Sequence, residues 1–170
     1  KSNNPNRKTK YSLISAYKED LLINIDSQVP NKVVFDSISN NEIYELQYVD
    51  VLKKEISYGN SRFDLYYEKN NIKGFIEVKG VTLENKGLSM FPDAPTERGT
   101  KHVLEMIKTV KEGYESYIFF LIQIAGINYF KPNKAMDEKF AKALILAKKE
   151  GVNMLEYNSI VTKNEIYLGE

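Results

Sequence analysis

Cysteine is absent from the 170 residues. That removes disulfides, zinc–thiolate sites and cysteine nucleophiles from consideration, and it favours a cytoplasmic origin. Histidine occurs once, at His102, so no histidine cluster can hold a metal. No apolar run approaches the roughly 20 residues needed to span a bilayer, and no signal peptide is visible, so no membrane partner is expected. An excess of one charge is also missing, because 24 basic and 23 acidic residues leave a net +1. Domains that coat nucleic acid through bulk charge are usually strongly basic. A protein with one basic face stays open.

What is present suits a globular domain. Hydrophobic residues make up 42% and charged residues 28%, with 12 Tyr and 8 Phe. A chain of this length holds one medium domain, or one domain plus a fragment, and buries a core without staples.

The polar, basic segment 1–10, KSNNPNRKTK, reads as a flexible arm. The apolar runs Tyr11–Tyr17 and Leu21–Ile25 flank Lys18-Glu19-Asp20 and predict a β-hairpin, expected to belong to a larger sheet because a lone hairpin is marginal in water. Ser27 as a cap and Pro30 in the first turn predict a helix to about Leu46, with Val33, Val34 and Ile38 inward. Strands are expected over 52–58, 62–68 and 73–79, followed by a loop over 80–95. Thr96 opens an amphipathic helix with Val103, Met106, Ile107 and Val110 on one face and Gly113 as its stop. Residues 117–125, YIFFLIQIA, read as a central strand covered on both faces. A helix over 137–149 directs Phe140, Leu144, Ile145 and Ala147 inward, and short strands follow at 152–157 and 165–168. The order from residue 28 is α-β-β-β-α-β, then α-β. It predicts an α/β (or α+β) fold with a mixed central sheet flanked by helices.

The segment 61–79 carries the chemistry. A turn centred on Asn70-Asn71 puts Asp64 opposite Glu77 and Arg62 opposite Lys79, and a period of two puts Glu77 and Lys79 on Asp64's face. Phe63, Leu65, Tyr67, Ile76 and Val78 then form the other, core-facing side. Opposed carboxylates destabilise a sheet, and a bound Mg²⁺ or Mn²⁺ would relieve the repulsion. Alternatively, Lys79 and Arg62 simply neutralise the acids in a surface network. Spacing alone leaves both readings open. An Asp followed on the next strand by Glu-X-Lys is the PD-(D/E)XK pattern. There two carboxylates hold a metal that lowers the pKa of a bound water, and the Lys orients that water and offsets transition-state charge.

Further resemblance lies in Ser61-Arg62-Phe63-Asp64, Ile76-Glu77-Val78-Lys79 and Val81-Thr82-Leu83. It continues through Met90-Phe91-Pro92-Asp93-Ala94-Pro95-Thr96-Glu97-Arg98-Gly99, Lys101-His102, Gln123 and Gly151-Val152. Together these resemble the sugar fermentation stimulation protein A family over roughly residues 28–168. The resemblance implies a restriction-endonuclease-like αβββαβ core over 27–170. It also implies that 1–26 are the remnant (arm plus hairpin) of an N-terminal OB-like barrel. The implied activity is DNA binding, with DNA more expected than RNA. Either a Mg²⁺- or Mn²⁺-dependent nuclease works through Asp64, Glu77 and Lys79, or a non-catalytic DNA-binding regulator of sugar metabolism keeps the nuclease fold. The family's Ser after Glu-Val-Lys is Gly80 here.

Around this core, Arg62, Arg98, Lys101 and His102 are candidate nucleic-acid contacts, with the helix begun at Thr96 offering its N-terminal amides to phosphate. A lone histidine such as His102 is more often structural than catalytic. Glu97 either adds to the metal shell or pairs with Arg98. Asp36 is a third-acid candidate or a solvated helix acid. Gln123 faces the site or caps the sheet edge.

Overall fold

The computed structural model describes residues 8–169, so most of the basic arm (1–7) lies outside the described residues. In chain order the elements are β1 (Ser15–Lys18), β2 (Leu21–Asn24), α1 (Val29–Ser39), β3 (Val51–Tyr58), β4 (Ser61–Lys69), β5 (Ile72–Val81), β6 (Leu83–Asn85) and β7 (Leu88–Phe91). They continue with α2 (Glu97–Lys111), β8 (Glu115–Ile122), β9 (Phe130–Pro132), α3 (Glu138–Lys149), β10 (Asn153–Val161) and β11 (Ile166–Leu168). This is the expected α/β order with a mixed central sheet and flanking helices.

The most apolar segment, β8, lies inside a six-stranded sheet ordered β11-β10-β8-β5-β4-β3. It runs parallel to β5 and β10, while β3, β4 and β5 form an antiparallel meander. Successive β8 side chains alternate between two cores, as a strand covered on both faces requires. Ile118, Phe120 and Ile122 join Val103, Met106, Phe140, Leu144 and Ala147 of α2 and α3. Tyr117, Phe119 and Leu121 join Val33, Val34 and Ile38 of α1. Each fully buried side chain of this size contributes roughly 1.5–3 kcal/mol relative to exposure.

Several local expectations hold for physical reasons visible in the sequence. Asn70 and Asn71 both take left-handed backbone (φ 51° and 66°), as a two-residue hairpin turn demands. Thr96 caps α2 by accepting the Gly99 N–H at 3.0 Å, and Gly113 follows the helix end with φ 91°. Residues 15–24 form the expected hairpin, but as a two-stranded sheet of its own and not as part of a larger one. It docks on the main body through Asn24 N–H to Gln123 O and Ala125 N–H to Leu22 O, both 2.9 Å. Lys18 Nζ also reaches Glu84 Oε2 at 2.6 Å.

Other details differ. Ser27 does not cap α1; Gln28 holds that position without a side-chain bond, and Asp26 Oδ1 accepts the Gln28 N–H at 2.9 Å instead. The helix stops at Ser39, because Asn41 turns left-handed (φ 62°) and only a 3-10 turn, Tyr44–Leu46, follows. Ile145 points outward at 72% exposure, since Phe140, Ala141, Ala143, Leu144 and Ala147 complete the buried face of α3. The segment 80–95 is not a plain loop. β6 and β7 form a tight hairpin through Lys86 and Gly87, both left-handed, and β9 adds to it in parallel. Strands of three or four residues offer too little periodicity to be read. Among the described residues no helix is long and apolar enough to cross a membrane.

Candidate functional site

The centre of interest lies where two strands part. The β4–β5 ladder runs in the anticipated register from Lys69↔Ile72 to Leu65↔Ile76. Beyond that point β5 continues alongside β8 as far as Val81↔Ile122, and β4 continues with β3 alone. The β3–β4 ladder steps over Glu55 and Asp64 at the same level, and Glu55 takes a left-handed φ of 54°. Such backbone is uncommon for a side chain of this kind, and here it kinks the hairpin.

The kink changes which residues share a face. Leu65 packs in the α1 core, whereas Phe63, two residues earlier, packs with Phe75 in the α2–α3 core. The expectation that Phe63, Leu65 and Tyr67 line one face is corrected accordingly. Arg62 is not opposite Lys79; it pairs with Ser57 of β3, and its guanidinium lies 3.7 Å from Glu55.

Asp64 sits at the fork. Its Oδ2 accepts the Val78 N–H at 2.8 Å, and its Oδ1 accepts from Asn31 Nδ2 of α1 at 2.8 Å. Burial pushes the Asp64 carboxyl above its usual pKa and the neighbouring Glu77 charge adds to that, outweighing the Val78 bond, the Lys79 charge and the Asn31 bond.

Glu77 is 2% exposed. Lys79 Nζ donates to its Oε1 at 2.5 Å, and His102 Nδ1 of α2 lies 2.5 Å from the same oxygen. Burial alone would raise the Glu77 pKa, but the His102 hydrogen bond and then the charge and hydrogen bond of Lys79 overcome it, and the net direction is down. Oε2 of Glu77 is buried with no partner. Buried carboxylate oxygens are rarely left so, and an unpaired one beside a second acid suits a hard cation. Such a donor set would suit Mg²⁺ or Mn²⁺, and Asp64 and Glu77 are the residues that would hold it. Among the described residues there is no cluster of three or more His, Cys, Asp or Glu side chains, so water or a substrate oxygen would have to complete the shell.

Asp64, Glu77, Lys79 and His102 are thus brought together, while the remaining candidates face solvent or have other partners. Glu97 and Arg98 are exposed on the first turn of α2, and Lys101 Nζ donates to Asn60 O in the β3–β4 turn at 3.2 Å. Asp36 pairs with Lys32 at 2.7 Å as a surface i,i+4 couple. The Gln123 amide is spent on the β1–β2 hairpin exit, donating to Asn24 O, Asn24 Oδ1 and Asp26 O at 3.1–3.3 Å. Sequence reasoning missed Asn31, which carries no motif and becomes visible only when α1 lies against the fork. It also missed a cleft of about 360 Å³ lined by Asn31, Lys32, Lys54, Glu55 and Asp64.

Comparison with known proteins supplies the frame. The model of the sugar fermentation stimulation protein RE domain matches residues 28–165. A sugar fermentation stimulation protein homolog of Alkaliphilus oremlandii is 56% identical, the match covering 98% of this chain and 73% of the relative. One from Clostridium botulinum (strain Langeland) is 52% identical with the same coverage. The solved structure of Pyrococcus furiosus SfsA in complex with Ca²⁺ superposes with a TM-score of 0.89 at 28% identity, again over 98% of this chain and 73% of that one. The fork with its paired acids therefore sits in a fold shared with these proteins, and the chain belongs to the sugar fermentation stimulation protein family.

Proposed function

We propose that this protein is a Mg²⁺- or Mn²⁺-dependent nuclease that hydrolyses phosphodiester bonds in DNA, in preference to RNA, at the β4–β5 fork. The observation that carries the reading is the buried, unpartnered Oε2 of Glu77, with Asp64 within electrostatic reach. The Ca²⁺ complex of the Pyrococcus furiosus relative supports a divalent ion in this fold. When bound, such an ion would act as a Lewis acid on a phosphoryl oxygen and acidify a coordinated water.

The chain's own groups supply the rest. Lys79, at 16% side-chain exposure, donates to Glu77 and is near enough to solvent to meet a phosphate. Arg98 and Lys101 stand exposed along α2, the helix that carries His102, and suit phosphate contacts that position a strand without reading its bases. Arg62, exposed on β4, is a further residue suited to a phosphate contact.

A second reading, a non-catalytic DNA-binding regulator of sugar metabolism, is favoured by one observation. Lys79 and His102 already satisfy Oε1 of Glu77, so half of the acid is held without any ion. Cleavage assays on single- and double-stranded DNA and RNA, with Mg²⁺ and with Mn²⁺, separate the two. Wild type should cut and Asp64→Ala should not. A wild type that binds DNA and cuts no substrate form in either metal establishes the regulator.

A further inference from the structure

We propose that His102 is a positioning residue for Glu77, holding one carboxylate oxygen from α2 so that the other stands open to a divalent cation. This rests on the metal-site reading above. The geometry is asymmetric: two donors converge on Oε1, Lys79 Nζ and His102 Nδ1, each at 2.5 Å, and none approaches the buried Oε2. Neutralising the acid needs only the lysine, so the second donor on the same oxygen calls for another explanation.

The two donors differ in mobility. Lys79 reaches Oε1 on a flexible four-carbon stem at 16% exposure, whereas the His102 ring hangs on a single methylene and is 10% exposed. The imidazole is braced edge-on by Phe63 at a ring distance of 6.4 Å. A lysine that turns to a substrate phosphate leaves Oε1; a packed imidazole stays. His102 therefore keeps the Glu77 rotamer while Lys79 changes partner. With Glu77 ionised, Oε1 can only accept, so the ring nitrogen facing it must carry the proton. Outer-shell partners of this kind typically change metal affinity by roughly 10–100-fold when removed.

His102 is the single histidine of the chain, so ¹⁵N-histidine NMR reports on it without assignment. The wild type without metal should show a protonated Nδ1, and Glu77→Gln should shift that resonance. Mg²⁺ titration by calorimetry should then show His102→Leu weakened about tenfold or more. His102→Asn, whose amide nitrogen takes the place of Nδ1, should recover most of the affinity. An unprotonated Nδ1 overturns the proposal, as does equal loss in the Leu and Asn variants or wild-type affinity in the Leu variant. Wild type that takes up no Mg²⁺ overturns the metal site itself and the positioning role with it; a defect confined to the variants speaks only to His102. If His102→Leu does not fold, the NMR signal and the Asn variant decide.

Discussion

Asp64 Oδ2 accepts the backbone N–H of Val78 at 2.8 Å, and Val78 is the residue between Glu77 and Lys79. The carboxylate occupies the place that a neighbouring strand's carbonyl would fill, just where β4 has parted from β5. That single bond ties the first acid to the backbone of the Glu-Val-Lys segment, so the fork opens without separating the acids.

A cation bound there stabilises only the folded state. Mg²⁺ at a hundredfold excess over its dissociation constant should add about 2.7 kcal/mol, or several degrees in Tm. Asp64→Asn should abolish the shift in a thermal melt. A shift of equal size in that variant would place the ion elsewhere.

Lys79 should matter to chemistry more than to affinity. Lys79→Ala is expected to bind duplex DNA within about threefold of wild type and to lose on the order of 100-fold or more in cleavage rate with Mn²⁺. Filter binding and a single-turnover cleavage assay on the same preparations measure the two separately.

Arg98 and Lys101 should set the salt response. Each phosphate contact contributes close to one unit to the slope of log K against log salt, so the double alanine variant should flatten it by about two. An unchanged slope would move the interface off α2. The loss should be nearly independent of base sequence, because phosphate contacts carry none.

Asp137 couples the N-termini of α2 and α3. Its Oδ2 accepts the Thr96 N–H at 2.8 Å and its Oδ1 accepts the Phe140 N–H at 2.9 Å, so it caps α3 and steadies the residue that caps α2. The bond from Thr96, then that from Phe140, holds the Asp137 carboxyl below its usual pKa. The unfolded chain therefore binds the proton more readily, and this contribution is present above the unfolded pKa of about 3.9 and lost as pH falls through the folded value. Asp137→Ala should cost about 1 kcal/mol at neutral pH. Denaturant melts between about pH 5 and pH 3 should show wild type losing more stability than Asp137→Asn, which has no proton to bind.

Much of this was legible because it depends on local chemistry. The Asn70-Asn71 turn fixed the β4–β5 register, Thr96 and Gly113 bounded α2, and the unbroken apolar run 117–122 could only be a strand between two layers. The face change at Asp64 was not legible, since strict alternation is assumed until a left-handed residue breaks it, and nothing marks Glu55 for that role. Arg62 was misplaced because the β4–β5 pairing that would set it opposite Lys79 ends at Leu65↔Ile76. Asn31 and His102 meet the acids from helices on opposite sides of the sheet. Such contacts belong to tertiary packing and leave no trace in sequence spacing. Gln123, expected either to face the site or to cap the sheet edge, anchors the β1–β2 hairpin.

The kink in the β3–β4 hairpin has a consequence for how the molecule breathes. Leu52 and Leu65 contribute to one hydrophobic layer, and Ile56 and Phe63, a few residues away on the same two strands, contribute to the other. Neither layer can loosen without disturbing a hairpin that the other holds. Native-state amide exchange should accordingly find the slowest amides of α1 and α2 opening with the same free energy, as one cooperative unit. Glu55→Gly, which removes the left-handed strain but keeps the backbone path, should leave that unity intact.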